Sequence, residues 1–482
     1  MNSEEFRKFA KVIVDYIADY FGTIREKQVL SSVEPGYLQC LLPAEAPSIG
    51  EPWQSILQDL DKIIIPGLTH WHSPNFHAYY PTANSFPGIV GELLLSGLGV
   101  ISTDWLSCPA SVELELKMMD WLAKILNLPA LFLNSSGGPG GGIIQNAASD
   151  STLVALLAAK KRTTRKYLIP EGKLVAYTSE QSNSSVEKAG LLASVPMRLL
   201  PTDPEGRLCG PTLLRAIRDD IQTGHTPCCV VCTLGTTGTC AFDRLDEIGP
   251  ICRQFDVWLH VDAAYAGSAF ACPEYRHLMK GVEFADSFNV NPHKWMLVNS
   301  DCSAMWFKDT EEVKRMFEEE GSSEVSNVQF WQIPSVRRFR ALKLWFVLRI
   351  YGVRGIQDHI RKQVGLAGYF ERLVRSDDRF EVCTASMGLV CFKLKGPDDL
   401  TRTLIDRVSR RRNIFIMPYY YQNRLVIRFV ICSRLTEEAD VLYAWREIQT
   451  QADEQGGVEY GNTTKKNQLA ISGIADVSTA QI

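Results

Sequence analysis

The sequence lacks several features that would assign a function at once. Its 51 basic and 55 acidic side chains nearly cancel, leaving a formal charge of −4. It therefore has no basic excess with which to hold nucleic acid or an anionic membrane. The one basic cluster, Arg407 with Arg410 to Arg412, is brief and has no interleaved aromatics, as befits a solvated helix end. No apolar run approaches the roughly 18 residues that a membrane span needs. The opening Met1-Asn2-Ser3-Glu4-Glu5 is acidic and polar, unlike a signal or transit peptide. The 13 cysteines follow no framework spacing, which argues for free thiols in a reducing compartment, the cytoplasm. Cys229-x-x-Cys232 has a redox spacing but lies in the apolar run Cys228–Thr233. On a strand these two positions point to opposite faces, so both are expected in the core.

What is present suggests several domains, since 482 residues exceed a single hydrophobic core. Phe6, Phe9, Ile13, Ile17, Tyr20 and Phe21 recur at helical spacing and predict an amphipathic helix over residues 4–21. Ser3 is the expected cap, Glu4 and Glu5 suit the positive end of the dipole, and Gly22 ends it. Its apolar face needs a cover, for which a second subunit is one candidate. The Pro-rich stretch Pro35 to Pro52 reads as an extended connector.

Beyond residue 80 short apolar strands alternate with helices: Leu174–Thr178, Cys229–Thr233, Val257–Val261, Ser287–Val290 and Ala304–Lys308, with helical patterns at Ser151–Lys161 and Gly210–Gln222. Such strands point to an α/β domain with a largely parallel sheet covered on both faces. From Arg354 the strand candidates Leu389–Leu394 and Leu425–Ile431 describe a smaller α+β domain. The stretch from Ala452 is polar and poor in aromatics, as disordered tails are.

Polar clusters follow the strand ends, where ligands bind in a parallel α/β sheet. Val257–Val261 leads into Asp262, Ser287–Val290 into Asn291-Pro292-His293-Lys294-Trp295, and Cys229–Thr233 into Gly235-Thr236-Thr237-Gly238. The run Ser135 to Gly142 is glycine-rich and precedes a helix expected near Ile143, an arrangement that suits a phosphate. No Lys-Ser/Thr follows it, which argues against a nucleotide P-loop. A partly desolvated lysine such as Lys294 is a candidate Schiff-base amine, and Asp262 could keep a pyridinium nitrogen protonated. Singly these are an ordinary turn, a helix cap and a surface lysine. Together, in this order, they are the parts list for pyridoxal phosphate.

The strings His260-Val261-Asp262-Ala263-Ala264-Tyr265-Ala266-Gly267 and Asn291-Pro292-His293-Lys294-Trp295 resemble the group II pyridoxal-phosphate decarboxylases, most of all the aromatic-L-amino-acid decarboxylase branch. Thr69 to Pro74, Tyr80-Pro81-Thr82, Gly140 to Gly142 and Thr233 to Thr237 match as well, and the resemblance runs from residue 1 to about residue 450. It implies the fold-type I aminotransferase-like architecture. Residues 1–80 would form an N-terminal helical segment at a dimer interface, 81–353 the large cofactor domain, 354–451 the small C-terminal domain and 452–482 a tail. It also implies a homodimer.

By the same resemblance Lys294 anchors the cofactor, Asp262 pairs with its pyridine nitrogen, and Ala264 packs on the ring. Ala148, Ser149 and Asn291 bind its phosphate, Thr237 lies close to Asp262, and His293 stands beside the lysine in the catalytic group. Tyr79, Tyr80 and Thr82 line the substrate entrance. Ala147 replaces a small hydroxyl residue, at the loss of one phosphate contact. His70, His72 and His77 are not joined by a cysteine or carboxylate cluster, so a packed role is expected rather than a metal site.

Two departures concern one proton. After CO₂ leaves, a carbanion remains at the substrate's α-carbon, and the family protonates it with a stacked histidine and a loop tyrosine. Here the histidine position is Asn183, which cannot act as a general acid near neutral pH. The loop segment, Glu318 to Phe330, has no tyrosine, and none occurs between Tyr275 and Tyr351. Asn183, Gly238-Thr239-Cys240 and Met197 to Pro201 are similar to the aromatic acetaldehyde synthases, in particular the 3,4-dihydroxyphenylacetaldehyde synthases, which act on L-dopa with O₂. The expected reaction is decarboxylation with oxidative deamination. A simple decarboxylase releasing dopamine and a catalytically weak paralogue are the alternatives. Ser102 and Thr103 stand where the family often has a glycine and a bulkier aromatic, so the choice among dopa, tyrosine, phenylalanine and 5-hydroxytryptophan stays open.

Overall fold

The computed structural model describes residues 1–317, 331–334 and 336–461. The tyrosine-free loop and the end of the tail therefore lie outside the described residues. The chain divides into two compact units.

The larger unit holds Tyr79–Ala367 and the short stretch Thr384–Val390. Its sheet is built from β1 (Gly141–Gln145), β2 (Leu174–Ser179), β3 (Met197–Leu200), β4 (Thr226–Thr233), β5 (Trp258–Asp262), β6 (Ser287–Val290) and β7 (Ser303–Phe307). The order is β1-β7-β6-β5-β4-β2-β3. The pairs from β3 through β2, β4 and β5 to β6 are parallel, whereas β7 is antiparallel to both its neighbours. β1, β2, β4, β5, β6 and β7 are buried almost throughout, because helices cover them. One such helix, Ala148–Tyr167, lays Val154, Ala155, Leu156, Ala158 and Ala159 against Ala176, Cys229, Val231, Trp258 and Phe307. Cys229 and Cys232 are both buried and unpaired with any disulfide, as expected of core thiols.

The glycine-rich run departs from expectation. Gly141 and Gly142 open strand β1 rather than leading into a helix near Ile143, and the helix begins only at Ala148. Close contact explains the glycines: a Cβ on Gly140 would lie 1.7 Å from the Leu131 carbonyl oxygen, and one on Gly142 would lie 2.4 Å from the Trp306 ring. They are packing positions.

The smaller unit joins residues 1–78 to Gly368–Cys383 and, among the described residues, 391–461. Strands β8 (Phe380–Ser386), β9 (Leu389–Leu394), β10 (Met417–Tyr421) and β11 (Arg424–Val430) form a four-stranded sheet in the order β10-β11-β9-β8. The N-terminal segment is built into this unit instead of standing apart. Arg25 bonds Asp440, His77 Nδ1 lies 3.0 Å from the Val430 carbonyl oxygen, and Phe76 bridges to Phe415. The change between units falls at Gly368, within the helical stretch Ala341–Arg375 and beyond its break at Gly352. The first helix, Ser3–Gly22, is capped by Asn2 rather than Ser3: Asn2 accepts from the amides of Glu4 and Glu5, and Glu5 accepts from the Asn2 amide. Phe9 stacks on Trp53 at 4.8 Å, while Phe6 stays 57% exposed. The last helix, Glu438–Gly461, carries helical structure ten residues into the stretch from Ala452 expected to be disordered.

Candidate active site

The loops after β4, β5 and β6 are bonded to one another by their backbones, and this fixes the site. Leu234 N donates to the Asp262 carbonyl, Ala263 N to that of Asn289, and Asn291 N to that of Ala264. The Lys294 amide in turn donates to the Asn291 carbonyl at the start of the short helix Pro292–Trp295. At Gly235, with φ of 93°, a Cβ would lie 2.4 Å from that of Ala266, so only glycine lets these loops close.

Asp262 is 4% exposed, and its Oδ1 accepts from Ala264 N at 3.0 Å and Asn289 Nδ2 at 3.4 Å. Burial pushes its carboxyl above the ordinary range, against the pull of the Lys294 charge and these two bonds. A buried acid of this kind gains from a cationic partner. Lys294 itself is half-buried.

The same rim offers a place for a phosphate. The helix Ala148–Tyr167 has Ala147 as its N-cap, which makes no side-chain cap bond. The amides of Ala148 and Ser149 have no acceptor among the described residues. Asn291 Oδ1 is buried without a hydrogen-bond partner. Free amides at a helix start, a buried carboxylate and a lysine fit pyridoxal phosphate, while the bare Asn291 Oδ1 is an acceptor and is open to a donor, not to the phosphate.

Asn183 caps the helix Ser184–Ala193. Its Oδ1 accepts from Ser185 N at 3.0 Å and its Nδ2 donates to Thr237 Oγ1 at 3.1 Å. Thr237, in the loop after β4, is thus the partner of Asn183. His293 Nδ1 accepts from Cys302 N at 2.9 Å, and burial lowers its pKa to about 4, with the nearby charges of Lys294 and Lys343 acting in the same sense. The imidazole is neutral at physiological pH and serves as an acceptor for the backbone.

The three entrance residues lie just ahead of the helix Phe86–Leu98. Tyr79 has a left-handed backbone, with φ of 56°. Tyr80 stacks on Tyr265 at 3.6 Å, and Tyr265 stacks on Trp295 at 4.5 Å. Thr82 Oγ1 donates to the Ala83 carbonyl, and Ala83 N donates to the His293 carbonyl. This links the entrance to the lysine turn. Reading the sequence found Tyr80, Tyr265 and Trp295 in separate motifs but not the column they form.

A second link was also missed. Arg340 donates to Asp301 at 2.7 Å and to Asn146 Oδ1, while Asn146 Nδ2 donates to Asp150 at 3.0 Å. Asp301 precedes Cys302, so the helix start at Ala148 and the His293 turn share one ionic network. Arginine and aspartate signs alone gave no hint of this pairing.

Comparison with known proteins adds to this geometry. Residues 35–395 match the family model described as the pyridoxal-dependent decarboxylase conserved domain. An aromatic-L-amino-acid decarboxylase of Manduca sexta is 52% identical over 93% of this chain and 92% of its own. A 3,4-dihydroxyphenylacetaldehyde synthase of Drosophila melanogaster is 49% identical over 94% and 92%. Among solved structures, Oryza sativa TDC with PLP and tryptamine superposes with a TM-score of 0.92 at 36% identity, covering 94% of this chain and 99% of that one. The fold is accordingly the fold-type I architecture, with a mixed, mostly parallel large sheet and a smaller second sheet.

Proposed function

This chain belongs to the pyridoxal-dependent decarboxylase family and uses pyridoxal phosphate, and we propose that it decarboxylates an aromatic L-amino acid and releases the remainder as an aldehyde. With L-dopa, one O₂ and one water are consumed, and 3,4-dihydroxyphenylacetaldehyde, CO₂, NH₃ and H₂O₂ are formed. The bound cofactor supplies a sink for the electron pair left at the substrate's α-carbon when CO₂ departs.

In this reading Lys294 anchors the cofactor and Asp262 keeps its pyridine nitrogen protonated. Ala264 packs on the ring, and Ala148, Ser149 and Asn291 hold the phosphate. Tyr79, Tyr80 and Thr82 bind substrate at the entrance, and His293 and Thr237 hold the lysine turn and Asn183 in place.

One observation carries the choice of product. Both ends of the Asn183 amide are engaged, with Ser185 and Thr237, and an amide has no proton to give at neutral pH. His293, with its pKa lowered to about 4, is a neutral imidazole and carries no acidic imidazolium proton either. The α-carbon is then slow to gain a proton and stays open to O₂. The capping role of Asn183 favours a second reading, in which asparagine was selected for the helix and the enzyme simply releases the amine.

Incubating the purified holoenzyme with L-dopa separates the two. Aldehyde, with CO₂ release matched by O₂ uptake and peroxide, supports the first; amine without O₂ uptake refutes it.

A homodimer is part of this proposal. The helix Phe86–Leu98 presents Phe86, Val90, Leu93, Leu94 and Leu98 to solvent, an apolar face that a second copy would cover. A cytoplasmic location is proposed from the cysteines, every one of which is a free thiol. No helix among the described residues is long and apolar enough to cross a membrane.

A further inference from the structure

Strands β5 and β6 place His260 opposite Ser287 and Asp262 opposite Asn289. Side chains alternate along a strand, so Trp258, His260 and Asp262 share one face of β5, beside Ser287 and Asn289 on β6. All five are buried. Trp258 Nε1, which can only donate, gives its hydrogen to Ser287 Oγ at 2.9 Å. Ser287 Oγ is 2.8 Å from His260 Nδ1. At the other end Asn289 Nδ2 donates to Asp262 Oδ1 at 3.4 Å. Between them, His260 Nε2 and Asn289 Oδ1 are buried and unsatisfied, although Asn289 is near enough to act on the imidazole. Burial keeps that imidazole neutral, with its pKa lowered to about 3.

A neutral imidazole has one donor and one acceptor nitrogen, so the row has two possible polarities. If Ser287 donates to Nδ1, then Nε2 carries the hydrogen and faces Asn289 Oδ1, which turns the Asn289 amino group toward Asp262. If Nδ1 donates to Ser287, the bare Nε2 draws that amino group to itself. The Asn289 oxygen would then face Asp262, acceptor against acceptor in a dry core, at a cost that a buried unsatisfied group always carries.

We propose that Trp258, Ser287, His260 and Asn289 form a one-way hydrogen-bond relay that fixes Asn289 as a donor and so holds Asp262 oriented and ionised toward the cofactor. His260 and Asn289 are positioning residues, acting through Asp262. This rests on the reading that Asp262 pairs with the pyridine nitrogen.

Two measurements test it. The first is nitrogen NMR of the histidine-labelled wild-type holoenzyme, with the His260 signal assigned by its loss in His260→Gln. His260 should be neutral and hydrogen-bearing at Nε2 from about pH 6 to about pH 8; a hydrogen on Nδ1 overturns the relay. This needs no destabilised variant.

The second is the cofactor dissociation constant by equilibrium dialysis, read with the visible absorption band. His260→Gln keeps a donor toward Asn289 and should bind within about threefold of wild type. His260→Leu and Asn289→Leu remove a link to a charged group and should weaken binding about tenfold or more, with a shifted band. Equal binding by the glutamine and leucine variants overturns the relay. Asp262→Asn is the control. If it binds as tightly as wild type, the Asp262 pairing fails and the relay with it. If it weakens binding while the leucine variants do not, the relay alone fails.

Discussion

The Asn183 side-chain amide donates to the Thr237 hydroxyl at 3.1 Å, joining the start of the helix Ser184–Ala193 to the loop after β4. That bond and the cap to Ser185 engage both ends of the amide, which has no acidic proton. Replacing it with an ionisable ring changes the chemistry available at the α-carbon. Asn183→His is expected to divert part of the product from aldehyde to amine, with O₂ uptake falling in proportion. The loss of an asparagine cap should also cost about 1 kcal/mol of stability. Product ratio by chromatography and O₂ consumption check the first effect. A variant that yields only aldehyde would refute this account of proton delivery.

Lys294 lies at a turn that the loops after β5 and β6 jointly hold, through Asn291 and Ala264. Lys294→Ala is expected to abolish turnover, a loss of at least about 10⁴-fold, since the covalent anchor is removed. It should also remove the visible band that borohydride bleaches in wild type. Circular dichroism should be unchanged, because the lysine is only half-buried. Sustained turnover would mean the anchor lies elsewhere.

Much of this site could be read from the sequence because its signals are local. Asp262 ends and Lys294 closely follows a short strand buried along its whole length, and burial on both faces is what makes such a run distinctive. Asn183 ahead of Ser184 is a cap signal of the same local kind. Distant contacts were illegible. Gly142 is glycine because Trp306 lies against it, which no window around Gly142 contains. Arg25 meets Asp440 across 415 positions, and so the N-terminal segment was read as a separate section. The row from Trp258 to Asn289 depends on the register between β5 and β6, and a one-residue slip would have turned every member away.

Asp243 offers a pH test. It is wholly buried, and its oxygens accept from Leu208 N and Thr233 N, each at 2.7 Å. Burial outweighs both bonds and raises its pKa from 3.8 to about 7. The folded protein therefore binds this proton more tightly than the unfolded chain does. Between those two pKa values the folded state holds more protons, so this group's contribution to stability falls as pH rises toward 7. From pH 5 to pH 7 wild type is expected to lose about 1–3 kcal/mol relative to Asp243→Asn, which cannot titrate. The variant should start lower at pH 5 by about 1–3 kcal/mol, since its amide can satisfy only one of the two backbone donors. Urea unfolding of the two apoproteins at each pH measures this; parallel pH dependence would refute the assignment.

Arg337 and Glu115 form an ion pair whose side chains are 1% and 4% exposed. Glu115 Oε1 also accepts from Ile144 N at 2.8 Å, in β1, while Arg337 Nε and Nη1 have no hydrogen-bond partner. The guanidinium thus depends on one carboxylate, whereas the carboxylate has a second donor. Glu115→Leu strands a buried cation and is expected to cost about 3–5 kcal/mol. Arg337→Leu should cost less than that, because the Ile144 amide still serves the carboxylate. The double variant removes both charges and leaves only the Ile144 amide unsatisfied, at about 1–3 kcal/mol. It should therefore be more stable than Glu115→Leu alone, with a coupling of about 0.5–3 kcal/mol in a double-mutant cycle. If the double variant instead falls by the sum of the single losses, the two side chains do not depend on each other.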